Sequence, residues 1–356
     1  MKILAACHRL DWTGAPLILF RLLSALSKTH DVTLLSPRDP IDGGPLRELY
    51  QEHGISVVGQ ARLGTFDVFL ANTLMTSHLA KRISRDLPVL WWIQEPKNGL
   101  HAIRHGAVDP MAFEAVDLIC IPTHWQRDVI YAPYLGRTGT IVVPYGRPSD
   151  RPSGICPAAL STDGFHIITL GYLSRRKGQA IVIEALEKLG RENVHLHLLG
   201  SDTTAPGEAE QIKKQARRTD PLRRHVHFHG TRPQHEVVDF LAHGDAFVFP
   251  TLDDLLSISI LEAMNQKLCV IASDFGAIPE LVIDGETGLL FPKFDAETLA
   301  AKIAFAIDDP TARRRLAEAG FDAAVEHHDF TAHVSAMEQG LLKAICNHSA
   351  PCFETP

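Results

Sequence analysis

The chain has 356 residues, 45% hydrophobic and 22% charged, with a formal net charge of −7 at pH 7. That length exceeds what one hydrophobic core usually organises, so two domains are expected, and the composition is that of an ordinary water-soluble globular protein. Residues 1–150 carry 15 basic and 14 acidic side chains and the remainder 20 and 28, so neither half has the basic excess of a nucleic-acid binder.

In chain order, the run Met1-Lys-Ile-Leu-Ala-Ala-Cys7 is apolar but is stopped by His8 and Arg9, and this predicts a first strand at residues 2–6 rather than a leader. Further apolar runs follow at 32–36, 56–58, 67–71, 89–93, 118–121 and 141–143, separated by helical stretches. Strands buried on both faces read this way, and a parallel sheet wrapped by helices follows. Pro, Gly, Ser and Asp then cluster at 144–157, a predicted hinge. Beyond it the same grammar returns at 166–170, 194–199, 226–229, 246–249 and 269–272. Two α/β, doubly wound domains are implied, an N-terminal one at 1–148 and a C-terminal one at 152–328. A helix over about 330–346, with an apolar seam at Val334, Met337, Leu341, Leu342 and Ile345, is expected to complete the first domain. Residues 350–356 are expected to fray.

Six cysteines make no C-x-x-C pair and fall mostly in apolar runs, which suits reduced core thiols and a cytoplasmic location. No run of about 18 apolar residues is present to span a membrane. The stretch 77–87, with Lys81, Arg82 and Arg85, reads as a helix that could rest on anionic lipid, although a solvated face explains it as well.

The chemistry concentrates in two segments of the second half. In Gly171-Tyr-Leu-Ser-Arg-Arg176-Lys177-Gly178, cations sit between a strand and a helix. Alone, such a run is usually solvated surface. Its partner is Pro250-Thr-Leu-Asp-Asp254-Leu-Leu256-Ser257-Ile258-Ser-Ile-Leu-Glu262, where a strand leads through an acidic loop into a helix. Backbone N–H groups at that helix start can take a diphosphate, and Arg176 and Lys177 can neutralise the charge that grows on it when a sugar departs. Asp254 and Glu262, eight positions apart, are placed to reach hydroxyl groups.

These segments resemble family 4 retaining glycosyltransferases of the GT-B fold. Asp254 and Glu262 stand in the family's Glu-x7-Glu signature, with Asp at the first position. Gly171, Leu173, Lys177 and Gly178 match its Gly-Arg-Leu-x3-Lys-Gly loop, with Tyr172 at the Arg position and Arg175 or Arg176 as substitutes. Gly276-Ala-Ile-Pro279-Glu280 and Asp284-Gly285-Glu-Thr-Gly288 match its Gly-x-Pro-Glu loop and the turn after it. Thr13-Gly14-Ala15-Pro16 is similar to its Gly-Gly-Ala loop, and Pro144-Tyr145-Gly146 to the close of its N-terminal domain.

The resemblance implies a nucleotide-sugar donor held by Gly14, Ala15, Gly171, Leu256, Ser257, Ile258, Glu262, His229 and Gly230. It implies catalytic roles for Asp254, Arg176, Lys177 and Glu262, and ligands in a cleft at the carboxyl ends of both sheets. It further implies retention of anomeric configuration, with the leaving phosphate helping to deprotonate the acceptor. At the end of the predicted strand 89–93, where relatives often carry a His, stand Gln94 and Glu95, the acceptor-side polar groups. Trp91 and Trp92 beside them fit core or site wall equally.

No Asp-x-Asp motif occurs, so no metal and no cofactor are expected, the two cations serving instead. His225, His227 and His229 on one strand, with His195 and His197 on another, predict a polar sheet face; ligands in line on a straight strand diverge from a tetrahedral centre. The expected acceptor is a cell-surface polysaccharide, lipopolysaccharide or lipid-linked glycan. The substitutions at Asp254, Tyr172 and Gln94 keep open a subunit that binds nucleotide or glycan without transfer, and a sugar-nucleotide epimerase on the same fold is a third reading.

Overall fold

A computed structural model describes residues 1–11, 14–36, 44, 46–147, 150–220, 224–254 and 257–349. The chain divides into two compact units, one made of Met1–Gly146 with the chain from Thr331 onward, the other of Arg147–Phe330.

The first unit is built on seven strands: β1 (Lys2–Ala6), β2 (Asp31–Leu35), β3 (Ser56–Val58), β4 (Val68–Asn72), β5 (Val89–Trp92), β6 (Leu118–Ile121) and β7 (Thr140–Val142). They form one parallel sheet in the order β3-β2-β1-β4-β5-β6-β7. β4, β5 and β6 are buried along their whole length, and Trp91 and Trp92 are both core residues. The final helix, Phe330–Ser349, packs into this unit through His333, Met337, Gly340, Leu341 and Ala344. Its buried stripe therefore differs from the predicted seam: Met337 and Leu341 are buried, Leu342 is exposed, and His333, Gly340 and Ala344 complete the buried face. A side chain on Gly340 would put its Cβ 2.8 Å from Ile141 Cδ1, so close approach favours glycine there. Met337 meets Cys120, whose Sγ lies 3.6 Å from Met337 Sδ.

The second unit carries β8 (Phe165–Leu170), β9 (Val194–Leu199), β10 (Val226–Gly230), β11 (Ala246–Phe249), β12 (Cys269–Asp274) and β13 (Leu289–Pro292), parallel in the order β10-β9-β8-β11-β12-β13. Its core runs through Ile167, Leu196, Val248, Ile271, Phe291 and Leu299. Each such side chain contributes about 1.5–3 kcal/mol by leaving water. Strand β13 was not among the predicted strands; it is four residues long and ends on Pro292, and it lies beside β12 at the sheet edge, where a missing N–H is tolerated.

Both sheets therefore share one design. Strands leaving β1 and β8 go to one side and strands leaving β4 and β11 to the other. The carboxyl ends of each pair, β1 with β4 and β8 with β11, form a topological switch point, where open α/β sheets bind ligands.

Two predicted features change. The helix expected over 77–87 spans Ser77–Ile83, and Lys81 is tied to Asp109 at 2.8 Å, which leaves Arg82 and Arg85 as its exposed cations. Cys7, Cys120 and Cys269 are buried and free, while Cys156 and Cys346 are free and exposed; Cys352 and the predicted frayed tail lie outside the described residues. Among the described residues no helix is long and apolar enough to cross a membrane.

Candidate functional site

At the switch point of the second unit, three glycines let the loops approach one another. After β8 the chain passes Gly171 at φ +132°; a Cβ on Gly200, after β9, would stand 2.2 Å from the Gly171 carbonyl oxygen. A single helical turn, Arg175–Lys177, follows, with Ser174 Oγ accepting from the Lys177 N–H. Gly178 ends the turn at φ +73°, and a Cβ there would lie 2.0 Å from the Pro250 carbonyl oxygen, so any other residue would push this turn off the loop after β11. Two bonds finish the closure. Leu252 N–H donates to the Arg176 carbonyl at 2.8 Å, and the buried Gln179 amide donates back to the carbonyls of Gly171 and Tyr172 at 3.2 and 3.1 Å.

This closure brings Arg176, Lys177 and Asp254 together. Lys177 Nζ donates to the Asp254 carboxylate and lies 5.6 Å from the Phe249 ring centroid. Arg176 reaches the same carboxylate at 3.8 Å, donates to the Asp253 carbonyl at 2.5 Å and to Tyr172 Oη at 3.1 Å, and lies over the Tyr172 ring. Of the two candidate substitutes for the family arginine, Arg176 is the one engaged with Tyr172; Arg175 is exposed and its N–H goes to Glu208. The side chains of Lys177 and Asp254 retain only 15% and 18% of their exposure, so their attraction is less screened than that of a surface pair.

Within the second unit, the other described members of the predicted donor set stand on and after β10 and β11. The helix Ile258–Asn265 opens after Ser257, which is extended and whose side chain makes no cap hydrogen bond. Glu262, buried one turn in, accepts 2.8 Å from Gln234 Nε2 at the start of another helix, Gln234–His243. Gly230, at φ +66°, accepts from Gly200 N–H. His229 stacks on His197, to which it is hydrogen-bonded at 3.0 Å, and packs against Phe240. Leu256 lies outside the described residues.

The histidine face is more extensive than the sequence suggested, because β8 adds His166, bonded at 3.0 Å to His197. The rings stack with nearly parallel planes across three strands. Burial drives His197 down to about 2 and His229 to about 4, each also lowered by neighbouring imidazoles, and holds His195 and His227 below the usual histidine value. All four are neutral in the folded state near pH 7.

In the first unit the switch point is organised by hydrogen bonds between mostly uncharged groups. Gly14 and Ala15 open the helix Gly14–Leu26; a Cβ on Gly14 would meet nothing within 4 Å, and the Ala15 carbonyl accepts from Asn72 at the end of β4. Thr13 is outside the described residues. Gln94 Nε2 donates to Asn72 Oδ1, and Gln94 Oε1 accepts from Tyr145 Oη at 3.1 Å. Thr73 follows β4 at φ +74°, ψ +161°, a conformation a β-branched residue adopts only when its surroundings impose it. Those surroundings are specific. Trp91 Nε1 donates to the Thr73 carbonyl at 2.8 Å, Thr73 Oγ1 lies 3.0 Å from His8 Nδ1, and both Glu95 oxygens accept from Leu74 N–H at 2.9 Å.

Glu95 is the most heavily held residue of this region. Burial pushes its carboxyl up to about 7, against hydrogen bonds from Leu74, Gln94 and Thr73 that pull it down. Its carbonyl accepts from Gln126 Nε2 and Tyr131 Oη, both at 3.0 Å. Gln126 and Tyr131 are five positions apart on the π-helical segment Gln126–Tyr131, whose wide turn lets both reach one oxygen. Gly99 leaves room for this: a Cβ there would stand 2.3 Å from Tyr131 Oη. Sequence reasoning named Gln94 and Glu95 but missed His8, Asn72, Thr73, Gln126 and Tyr131. The one available signal was that His8 and Thr73 each follow an apolar run.

Residues 157–322 match the family model described as glycosyl transferases group 1. Alpha-maltose-1-phosphate synthase of Mycolicibacterium smegmatis is 27% identical over 266 residues, 70% of this chain and 68% of that protein. Phosphatidyl-myo-inositol mannosyltransferase of Mycobacterium tuberculosis is 30% identical over 174 residues, 47% of this chain and 44% of the relative. The chain spans about half the length of other curated relatives it matches. Among solved structures, Anabaena HepE in complex with UDP superposes with a TM-score of 0.79 at 20% identity, covering 96% of this chain and 100% of that one. With two parallel doubly wound sheets and this likeness over nearly its full length, the chain has the α/β GT-B fold.

Proposed function

We propose that this protein is a glycosyltransferase whose second unit holds a nucleoside diphosphate sugar and whose first unit takes a hydroxyl-bearing glycan or lipid-linked acceptor. The observation that carries the reading is the placing of Arg176 and Lys177, with Asp254, at the switch point of the second sheet. A departing diphosphate gains negative charge as its bond to the sugar breaks. Two preorganised cations and the uncapped start of the helix Ile258–Asn265 supply the opposite charge where the chain is already fixed. Glu262 is the group for ribose hydroxyls and Asp254 for the sugar, in keeping with the match over 157–322. The UDP complex of Anabaena HepE supports a nucleotide donor.

Transfer proceeds with retention of configuration and without a divalent cation, because Arg176 and Lys177 provide the positive charge a metal would otherwise bring. Arg82 and Arg85, exposed beside the helix Ser77–Ile83, would favour an acceptor presented at an anionic lipid surface. Incubating the protein with a panel of nucleotide sugars and glycan or lipid-linked acceptors tests the reading. Product should form, with the anomeric configuration of the donor kept, and chelator should not slow it. Loss of transfer on chelation and recovery with Mg²⁺ or Mn²⁺ would remove the role given to the two cations. One observation favours a second reading: Asp254 is held by Lys177, so a protein that binds nucleotide without transferring sugar would show UDP binding and no product.

A further inference from the structure

Three histidine side chains on neighbouring strands of the second sheet form one hydrogen-bonded relay. A carbonyl only accepts, so His166 Nε2 donates to the Thr162 carbonyl at 2.9 Å. The neutral ring then accepts at Nδ1 from His197 Nε2, and His197 Nδ1 accepts from His229 Nε2, both at 3.0 Å. A second proton on His166 or His197 would set N–H against N–H. One on His229 would charge a ring packed 4.7 Å from the Phe240 ring and beside Arg232, whose Nε donates to the His229 carbonyl at 2.9 Å. The relay is closed only while it is neutral.

The helix Gln234–His243 lies on this relay. Its buried face is Val238, Asp239, Phe240 and Leu241, and the Phe240 ring meets that of His229 and, at 6.1 Å, that of His197. Its first residue is Gln234, which donates to Glu262 at 2.8 Å. One helix therefore touches the relay at one turn and the group proposed for the ribose at another. The titratable and charged groups facing the relay are His195 on β9, His225 and His227 at β10, and His235, Glu236, Asp239 and His243 on the helix, with Arg232, Asp163, Asp220 and Asp245 in the connections around it. Glu236 pairs with Arg232 at 3.3 Å, Asp239 accepts from Ser153, Asp220 from the N–H groups of Arg224, His225 and Val226, and Asp245 from the His166 N–H. None of these carboxylates bonds a ring of the relay, so a proton added there meets no counter-charge in contact.

Resting on the transferase reading above, we propose that acid gates the donor site: the neutral relay seats the helix Gln234–His243, Gln234 is the positioning residue that aims Glu262, and protons taken up by the relay unseat the helix and slacken Glu262. Seated, His197 and His229 are held down to about 2 and about 4, so the unseated form binds protons that the seated form refuses. Seating is strongest above the ordinary histidine value of about 6.5 and weakens as pH falls below it, opening rising up to about tenfold per pH unit for each histidine released. By reciprocity, a nucleotide sugar that needs Glu262 in place must itself hold the helix down.

Hydrogen exchange on the full chain at pH 7.5 and 5.5, corrected for the intrinsic rate of each amide, tests the relay without any ligand. Amides of β10 and of the helix Gln234–His243 should lose about tenfold or more in protection beyond those of β11 and β12. Equal loss throughout the second unit, or no loss, overturns the proposal. His197→Asn, which takes up no proton, should remove most of that pH dependence; a variant that keeps it overturns the relay. UDP-glucose, GDP-mannose and ADP-glucose probe the donor site, because their diphosphates do not titrate in this range. One that raises the melting temperature at pH 7.5 should slow exchange in the helix and bind the wild type about fivefold or more weakly at pH 5.5. Equal binding at both pH values overturns the gate. Gln234→Leu should weaken binding at pH 7.5 while keeping the exchange profile of the wild type, and unchanged binding overturns the role of Gln234. A wild type that binds none of the three overturns the functional reading and the gate that rests on it, while exchange decides the relay by itself.

Discussion

The two switch points occupy equivalent places in equivalent sheets yet are built from opposite materials. In the second unit, Arg176, Lys177 and Asp254 form a partly buried ionic cluster on a loop, held in place by backbone closure at Gly178. In the first, Asn72, Thr73, Gln94 and Tyr145 form a hydrogen-bonded network around one buried acid, Glu95. Loop cations are stabilised by their own ion pairs and by solvent, and they can exchange a carboxylate for a phosphate. Buried polar networks must be fully satisfied, so their members are fixed by the fold itself. The difference teaches that the charged region should lose function before stability, and the neutral region both together.

The largest expected effect is at Lys177. Lys177→Ala should cut transfer by about 100-fold or more, as removal of one preorganised charge-stabilising donor does, while its melting temperature stays close to wild type because Arg176, 3.8 Å from Asp254, remains as the counter-charge. A large loss of stability, measured by calorimetry, would break the contrast. Gln94→Leu sharpens it from the other side. Asn72 and Tyr145 lose a buried partner, and stability should fall by about 1–3 kcal/mol in urea titrations, with UDP binding kept. A variant as stable as the wild type would show that this network is not closed.

Acid should find the second unit first. His195, His197, His227 and His229 all have folded values below 6.5, so below that pH the unfolded chain binds protons that the folded one refuses. Their share of stability is intact above 6.5 and is lost as pH falls toward the folded values, about 4 for His229. Urea midpoints at pH 5 and 7.5 should therefore differ clearly, with the lower at pH 5; equal midpoints would contradict the burial of the histidine face. The smallest effect concerns Asp254. Since it holds Lys177, Asp254→Asn should let UDP bind a few-fold tighter, because the lysine is then free to pair with the diphosphate, even as transfer falls. Weaker UDP binding would mean that the carboxylate orients the lysine rather than competing for it.

Much of the fold was readable because strands buried on both faces must be continuously apolar, as at Val194–Leu199 and Ala246–Phe249. Strand β13 escaped because four residues ending on Pro292 carry no period. At the candidate site, Arg176 and Lys177 stood out only beside the acidic loop and helix start at 250–262, since a run of cations alone reads as solvated surface. Thr73 and His8 did not. Their meeting depends on β1 and β4 being neighbours and on a positive φ at a residue type that rarely takes it, and neither fact is written in nearby sequence. Gln126 and Tyr131 were hidden for a different reason: their convergence requires a π-helical turn, and ordinary helical spacing would send them to different faces.

The central claim is that the cluster on the second sheet is a diphosphate site. Thermal melting of the wild type and of Lys177→Ala with UDP, GDP and ADP tests it most directly, because a ligand that binds the folded state raises the melting temperature by mass action. The account predicts a concentration-dependent rise for at least one of the three nucleotides with the wild type, and its loss in Lys177→Ala. No rise with any of them, or an equal rise in the variant, would contradict it.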